Sequence, residues 1–213
     1  MIRNPWARAY MRTPHEYIWG TQPSEFAREV SELLPAGGGR ILELGCGEGR
    51  DCVFFAGLGF EVTGVDVSAA GLHKAERLAR MRGVHVRWIH ADAARCALNE
   101  RFDLVYSCGA IHYVPRRRRP RLFSRLKALT EPGGHHAHLV FTDRHVYVES
   151  GERIEYFTST ELAHAYVDWM ILRREDQDIS CAQDGTPHHH SVQLMVAIPL
   201  GDRSAEAAPV LPA

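Results

Sequence analysis

The clearest chemical signal in the chain is one acidic residue followed by three glycines at alternate positions. Glu43 precedes Gly45, Gly47 and Gly49 within the segment RILELGCGEGR. Glycine has no Cβ and tolerates positive φ, so the backbone turns sharply at such positions and can approach a bound ligand closely. An apolar strand, this turn and a helix directly after it predict a site in which a ligand lies against main-chain atoms.

A second acidic residue, Asp66, closes the next strand along the chain. A carboxylate at this position can accept hydrogen bonds from a ribose, which predicts a nucleoside-type cofactor across the ends of two parallel strands. The dinucleotide fingerprint G-x-G-x-x-G is not met, because the glycines here follow G-x-G-x-G. Glu43 would also repel a pyrophosphate, whereas it suits a cationic cofactor.

The spacing E-x-G-x-G-x-G resembles motif I of the class I S-adenosylmethionine (SAM) dependent methyltransferases. Three further segments extend the resemblance: the turn 91–93 after a strand at 86–90, the strand 102–107, and the turn 131–134. The resemblance runs from about residue 19 to residue 200. It implies that SAM is the cofactor and S-adenosylhomocysteine the product.

The resemblance also implies which residues contact the cofactor: Glu43, Gly45, Cys46, Gly47, Gly49, Arg50, Asp66, Val67, Asp92, Ala93 and Cys108. Asp66 is expected to bind the ribose, and Asp92 to accept from the adenine amino group. Cys108 is expected to face the sulfonium through backbone atoms. Arg50 begins a helix, where the dipole disfavours a cation, so it indicates an anionic partner or else a solvent-exposed arginine.

His112 and Tyr113 follow the fourth strand on the side of the cleft and are the predicted catalytic residues. A histidine with a near-neutral pKa can take a proton from an attacking nucleophile. The alternative is a histidine in the pocket wall that only shapes the site.

Aromatic residues are concentrated in the N-terminal segment, where they predict either a core-packing arm or a lid that excludes water from the reaction. The lid is the preferred interpretation because such segments cover the site in the small-molecule branch of the resembling family. The predicted substrate contacts are Tyr10, Tyr17, Trp19, Tyr156 and His189.

Several histidines invite a metal interpretation, since His188 and His190 lie two apart and so share one face of a strand. His135, His136 and His138 form a second group. No metal site is predicted, because no carboxylate or thiolate accompanies these histidines at metal spacing. Strand exposure or a polar wall facing the substrate is expected instead.

The basic run 116–119 with Arg121 suggests a nucleic-acid patch, but it opens a helix and is interpreted as a solvated helix face. Net charge is −1, which argues against nucleic acid as a partner. The protein is expected to be a monomer or homodimer in the cytoplasm, with no membrane partner. Its five cysteines are expected to be reduced, because they show no disulfide or zinc spacing.

The 213 residues, 45% of them apolar, fit one domain at 1–200, including an N-terminal arm and helix at 1–35. Residues 201–213 are expected to be a disordered tail. Alternating strands and helices predict an α/β fold: a Rossmann-like seven-stranded, mostly parallel sheet with helices on both faces. Asp184-Gly185 between two β-rich runs predicts an antiparallel C-terminal hairpin, as the resemblance also implies.

Element boundaries follow from the same patterns. Strands are predicted near 40–44, 61–65, 86–90, 102–107 and 136–141, with the hairpin strands at 169–180 and 191–199. Helices are predicted near 22–34, 49–58, 69–82, 116–129 and 159–166. Ser68 and Ser159 are predicted N-caps.

Short segments at 47–51, 54–66 and 156–162 resemble the tellurite-resistance and thiopurine methyltransferases. That resemblance implies a small-molecule acceptor with a soft nucleophile: a thiol, or a selenium or tellurium species. The alternatives are an O- or N-methyltransferase of a natural-product pathway with His112 as base, and a non-catalytic SAM-binding protein. A nicotinamide dehydrogenase is disfavoured by the glycine spacing, and an RNA methyltransferase by the near-neutral charge.

Overall fold

Seven strands form one sheet whose order across the molecule is β3-β2-β1-β4-β5-β7-β6. The computed structural model describes residues 5–35, 38–147, 154–182 and 185–200. The strands are β1 (Arg40–Leu44), β2 (Glu61–Asp66), β3 (Arg87–His90), β4 (Phe102–Cys108), β5 (Thr130–Phe141), β6 (Trp169–Cys181) and β7 (His188–Pro199). β1 to β5 pair in parallel, and β7 is antiparallel to both β5 and β6. The predicted Rossmann-like sheet with an antiparallel finish is therefore confirmed.

Six α-helices accompany the strands within the described residues, two of them before β1. They are α1 (Pro5–Arg12), α2 (Glu25–Ser31), α3 (Arg50–Gly57), α4 (Ala69–Arg82), α5 (Arg119–Ala128) and α6 (Glu161–Ala165). Side chains of α5 and α6 pack on one face of the sheet, and those of α2, α3 and α4 pack on the other. Both faces of the parallel strands are thus covered, which explains why the central strands β1 and β4 are buried along most of their length. No helix among the described residues is both long and apolar enough to cross a bilayer.

Helix boundaries differ from the sequence predictions where caps and turns intervene. α2 begins only at Glu25, because the Ser24 hydroxyl accepts a hydrogen bond from the Ala27 backbone amide. Ser68 caps α4 as predicted, accepting from the Gly71 amide at 3.1 Å. Ser159 does not cap α6; its carbonyl instead accepts from the Arg174 guanidinium at 2.6 Å.

The strands of the C-terminal half are longer than expected. β5 begins at Thr130 rather than at residue 136, and β6 runs through Cys181. The N-terminal arm contains α1, which no sequence pattern had predicted. The predicted disordered tail at 201–213 lies outside the described residues, as do two residues of the predicted hairpin turn.

Two of the histidines that invited a metal interpretation lie in the core. His136 contacts the hydroxyls of Thr130 at 2.7 Å and Tyr166 at 2.5 Å, and His138 contacts the same Tyr166 hydroxyl at 2.8 Å. Burial lowers the pKa of His138 to about 3 and that of His136 well below its ordinary value. Both imidazoles are therefore neutral members of a buried hydrogen-bonded network, which is how buried polar groups are usually satisfied.

Candidate functional site

A cavity of about 1080 Å³ opens at the carboxyl ends of β1, β2 and β4. β1 pairs with β2 on one side and β4 on the other, so the order of the strands reverses at β1. Ligands of open α/β sheets bind at such a switch point, outside the carboxyl ends of the strands. The volume is at the upper end of the usual range for small-molecule sites, roughly 300–1,000 Å³, which leaves room for more than one ligand.

The glycine turn forms the floor of this cavity. Gly49 has φ of +79° and directly precedes α3, and a Cβ placed there would lie 2.5 Å from the Cβ of Ala75 on α4. A side chain at position 49 would therefore be strained by its backbone and would push α3 away from α4. Gly45 and Gly47 line the cavity, whereas the predicted cofactor contact of Gly49 is corrected: Gly49 packs against α4 and is not part of the cavity wall.

Asp66 lies at the end of β2 and connects the glycine turn to the residue that caps α4. Its carboxylate accepts hydrogen bonds from the amides of Gly47 at 2.9 Å and Ser68 at 2.7 Å. Both carboxylate oxygens retain a second lone pair, and the residue lines the cavity. The arrangement fits the predicted ribose contact, with Asp66 also fixing the glycine turn.

The turn after β3 supplies the next part of the wall. Asp92 and Ala93 line the cavity together with Val67, which follows β2. The Asp92 carboxylate accepts from the Ala94 amide at 2.9 Å and lies 3.7 Å from the guanidinium of Arg118. These contacts hold the carboxylate at the cavity edge, where the predicted contact with an adenine amino group remains a prediction.

Glu43 is the most unusual group in the wall, because one of its carboxylate oxygens is buried and has no partner among the described residues. Burial raises the pKa of Glu43 well above its ordinary value, and the nearby Asp51 raises it further. A buried polar atom without a partner is costly unless a ligand or water satisfies it. A cationic ligand in the cavity would do so, and this orphaned oxygen is the observation that fits the residues to SAM.

Three further predicted cofactor residues also line the cavity: Cys46, Arg50 and Cys108. Burial raises the pKa of the two thiols, to about 11 for Cys46 and about 12 for Cys108, so neither is a thiolate at neutral pH. The Arg50 guanidinium donates to the Trp19 carbonyl at 2.9 Å. It is therefore ordered at the cavity edge, and its contact with a carboxylate of the cofactor stays a prediction.

The raised pKa of Glu43 gives SAM binding an expected pH dependence. The carboxylate attracts a sulfonium only after it loses its proton, so the affinity for SAM should rise with pH as Glu43 ionises. S-adenosylhomocysteine has a neutral sulfur and should gain much less. We expect the ratio of the two affinities, measured by calorimetry across a pH series, to increase with pH in the wild type and to be nearly constant in Glu43→Gln. A constant ratio in the wild type would contradict this role for Glu43.

The N-terminal arm covers one side of the cavity with aromatic rings. Tyr10 and Trp19 line it as predicted, together with Trp6, which sequence reasoning missed. The Trp6 indole donates to the Tyr113 hydroxyl at 2.6 Å, and the Trp19 indole donates to the Tyr10 hydroxyl at 3.1 Å. The arm is thus hydrogen-bonded to the segment that follows β4, and its role as a lid remains a prediction.

A buried ion pair fastens this arm to the glycine turn. Glu48, between Gly47 and Gly49, pairs with Lys74 of α4, and the two side chains are 1% and 2% exposed. The Glu48 carboxylate also accepts from the backbone amides of Ile18 at 3.2 Å and Trp19 at 3.1 Å. One carboxylate therefore holds the arm, the turn and α4 together.

Two predicted substrate contacts do not line the cavity. Tyr17 lies against α4, where its hydroxyl donates to the Lys74 carbonyl at 3.0 Å and accepts from Arg77 at 3.2 Å. Tyr156 donates its hydroxyl to the Tyr147 carbonyl. Both predictions are corrected: these hydroxyls make contacts within the fold, away from the cavity wall.

The predicted general base is also misplaced. His112 is fully buried beneath Tyr113, stacks on Phe141 with ring centroids 4.1 Å apart, and does not line the cavity. Burial, with the charge of Arg119, lowers its pKa to about 3. An imidazole so weakly basic and without access to the cavity does not act as a base at neutral pH, whereas Tyr113 lines the cavity.

The hairpin histidines face the opposite way from the prediction. His189 is exposed, whereas His188 and His190 are buried and His190 lines the cavity. Successive residues of a strand point to opposite faces, so His190 takes the place predicted for His189. The expectation that no thiolate accompanies these histidines is also wrong, because Cys181 lies beside them on the paired strand.

The basic run after β4 is only partly solvated. Arg119 is 1% exposed, and its guanidinium donates to Glu161 at 2.7 Å and to the carbonyl of Val114 at 3.0 Å. Arg117 lines the cavity. The interpretation of the whole run as a solvated face is therefore wrong for Arg119, which connects α5 to α6.

A methyltransferase domain family model matches residues 41–134, which include the glycine turn, Asp66 and the turn after β3. Over these residues the chain is similar to methyltransferase domains. An uncharacterized methyltransferase of Mycobacterium tuberculosis is 36% identical to it over 106 residues, 49% of this chain and 52% of that protein. Hemagglutinin 1 of Eikenella corrodens is 28% identical over 156 residues, 73% of this chain and 51% of that protein. The chain spans about half the length of these curated relatives.

Solved structures of this methyltransferase fold superpose on most of the chain. TehB from Haemophilus influenzae gives a TM-score of 0.71 at 19% identity, covering 82% of this chain and 61% of that one. A second structure, of a protein from the conversion of a disulfide bond into a thioacetal group during echinomycin biosynthesis, gives a TM-score of 0.70 at 20% identity. The superposition covers 95% of both chains. The N-methyltransferase NodS from Bradyrhizobium japonicum, solved with S-adenosylhomocysteine, gives 0.67 at 18% identity, covering 92% and 99%. At sequence identities this low, the structural similarity establishes the fold alone.

Proposed function

We propose that the protein transfers the methyl group of SAM to a small molecule whose acceptor atom is a soft nucleophile: a thiol, or a selenium or tellurium species. The observation that carries this proposal is the position of His112, which is sealed from the cavity with a pKa of about 3. Oxygen and nitrogen acceptors commonly need a positioned base to remove a proton. A thiolate or selenide is nucleophilic without that help.

The residues of the cavity divide into two groups that match a cofactor and an acceptor. The carboxylates of Glu43, Asp66 and Asp92 lie with the glycine turn at the ends of β1 to β3. The bound cofactor supplies a methyl group already activated on a cationic sulfur. Glu43 would face that positive charge, Asp66 would orient the ribose and Asp92 the adenine.

The acceptor end is lined by the arm, the segment after β4, the end of β5 and the hairpin, including Trp19, Tyr113, Phe141 and His190. These side chains would align the nucleophile with the methyl group and exclude water, which is the main catalytic task when the leaving group is already activated. A small molecule in the cytoplasm, rather than nucleic acid, is the proposed acceptor, since the net charge of −1 provides no attraction for a polyanion.

Two structural relatives support a soft acceptor by their names alone. TehB belongs with the tellurite-resistance methyltransferases that the sequence resembles. The echinomycin protein is named for the conversion of a disulfide bond into a thioacetal group, which is sulfur chemistry. We extend sulfur, selenium and tellurium chemistry to this chain as part of the proposal.

The direct test is release of S-adenosylhomocysteine by the purified protein with a panel of acceptors: tellurite, selenite, small thiols, iodide, a phenol, a catechol and an amine. We expect turnover with the thiols or the selenium and tellurium species and only background with the phenol, catechol and amine. Turnover confined to oxygen or nitrogen acceptors would overturn the proposal. Binding of SAM without turnover on any acceptor would favour a non-catalytic SAM-binding protein.

A further inference from the structure

Three side chains at the turn end of the hairpin bring metal-binding atoms together: Cys181 of β6 with His188 and His190 of β7. The Cys181 sulfur and one nitrogen of each imidazole all lie within 4.8 Å of one another. Cys181 pairs directly with His188 in the antiparallel register, and His190 is two residues further along β7. All three side chains therefore share the inner face of the hairpin.

The His188 imidazole is already oriented as metal-binding histidines usually are. His188 Nδ1 lies 2.7 Å from the Thr186 carbonyl oxygen, and because a carbonyl only accepts, that nitrogen carries the proton. His188 Nε2 then presents its lone pair towards His190 Nε2, 2.9 Å away. A hydrogen bond from the second ring nitrogen to a backbone carbonyl is the typical support for a metal-binding histidine.

Stacking holds both rings in place. Tyr147 lies parallel to His188 with ring centroids 3.6 Å apart, and Phe141 stacks on His190 at 4.3 Å. His188 is 8% exposed and His190 1%, so the imidazoles are withdrawn from solvent. Preorganised, desolvated ligands bind a metal with little ordering cost.

We propose that Cys181, His188 and His190 form a three-ligand site for Zn²⁺ in the wall of the acceptor end of the cavity. Thiolate and imidazole are both common zinc ligands, and three protein ligands leave a fourth tetrahedral position open. Ligands at about 2.0–2.3 Å from zinc lie roughly 3.3–3.6 Å apart, so small side-chain movements convert the observed cluster into a tetrahedral site. Cys181 and His190 line the cavity, so the open position faces it.

A role for the ion in methyl transfer depends on the proposed function, whereas the binding of the ion does not. A thiol acceptor that enters the open position would lose its proton to solvent and bind zinc as the thiolate, as coordinating thiols do. Its sulfur then forms the new bond to the methyl carbon, and the electron pair of the broken carbon–sulfur bond stays on the sulfur of S-adenosylhomocysteine. The product is a neutral thioether, a weaker ligand that leaves the metal. No electron is gained or lost by zinc.

The test uses the full chain, treated with a chelator and then titrated with Zn²⁺ by calorimetry and with Co²⁺ by absorption. We expect one ion per chain and a thiolate-to-cobalt charge-transfer band in the near ultraviolet. Cys181→Ser should abolish that band, and Cys181→Ser and His190→Ala should each weaken Zn²⁺ binding at least about 100-fold. His189→Ala is the matched control: it removes the exposed histidine between the two buried ones and should bind zinc like the wild type.

The outcomes separate the two proposals. Absence of stoichiometric Zn²⁺ binding by the wild type, or equal weakening by His189→Ala and His190→Ala, would overturn the metal site. Zinc bound as described, with no turnover on any soft acceptor, would leave the site standing and overturn the proposed function. Thiol methylation by a protein that binds no zinc would overturn the site alone. Truncation of the buried His190 ring should lower the melting temperature. Circular-dichroism spectra of the metal-free variants, expected to match that of the wild type, therefore exclude misfolding as the cause of lost binding.

Discussion

Asp66→Ala is expected to weaken SAM binding by about 1.5–3 kcal/mol, because a hydrogen bond to a charged acceptor is lost. This corresponds to about a 10- to 150-fold higher Kd. The variant also leaves the Gly47 and Ser68 amides without the acceptor that fixes the glycine turn. Calorimetric titration with SAM and with S-adenosylhomocysteine measures the loss, and both ligands should be affected because both carry the ribose.

Asp66→Asn is the control that separates shape from charge. An asparagine keeps one oxygen acceptor but directs an amide donor at one of the two backbone amides, so its affinity should lie between those of the wild type and the alanine variant. An Asp66→Ala protein that melts like the wild type and binds SAM with unchanged affinity would remove Asp66 from the site.

Lys74→Met is expected to lower the free energy of unfolding by about 3–5 kcal/mol, because it leaves the Glu48 carboxylate buried without its cation. Both partners are almost fully buried, so solvent screens the loss little. Glu48 also holds the amides of Ile18 and Trp19, and we therefore expect the arm to loosen as well. Denaturant unfolding measures the change in stability.

A second ion pair on the same helix provides the matched comparison. Arg80 and Glu76 of α4 lie 3.7 Å apart with side chains 67% and 47% exposed. Arg80→Met should change stability by less than about 1 kcal/mol, as removal of exposed pairs usually does. Equal effects of Lys74→Met and Arg80→Met would show that burial gives the Lys74–Glu48 pair no special importance.

The parallel half of the fold could be predicted from the sequence because each of its strands and turns is determined by residues close together in the chain. Apolar runs at β1 and β4 are buried on both faces, and the glycines after β1 turn where only glycine fits without strain. α1 was not readable, because it is eight residues long and owes its position to distant partners. Trp6 reaches Tyr113, and Tyr10 reaches Trp19.

The cofactor end of the site was predicted more accurately than the acceptor end. Ten of the eleven predicted cofactor residues line the cavity, because a turn of fixed spacing after a strand determines where they point. The exception is Gly49, which packs against Ala75 of α4. The acceptor end depends on tertiary pairing instead. A shift of one residue in the hairpin exchanges the faces of a strand, so choosing His190 over His189 required the register. The contact of Cys181 with His188 required it too.

His112 and Arg119 were misjudged for the same reason. Their positions just after β4 suggested a cleft residue and a solvated helix face, but neither burial nor partners can be read from a short, mixed segment. The Arg119 guanidinium donates to the His112 carbonyl at 3.3 Å, so the two residues form one buried polar unit. Sequence alone does not show that this segment turns inwards.

The buried imidazoles of His112, His136 and His138 make the fold intolerant of acid. All three are held neutral, with pKa values lowered by burial, to about 3 for His112 and His138. In the unfolded chain each takes up a proton below its ordinary pKa of about 6.5, so acidification draws the equilibrium towards unfolding. His112 and His138 then each cost up to about 1.4 kcal/mol of stability per pH unit as the pH falls from about 6.5 towards about 3, and His136 adds to the loss in the same direction. The pH range in which this protein stays folded is therefore limited at its acid end by these buried histidines.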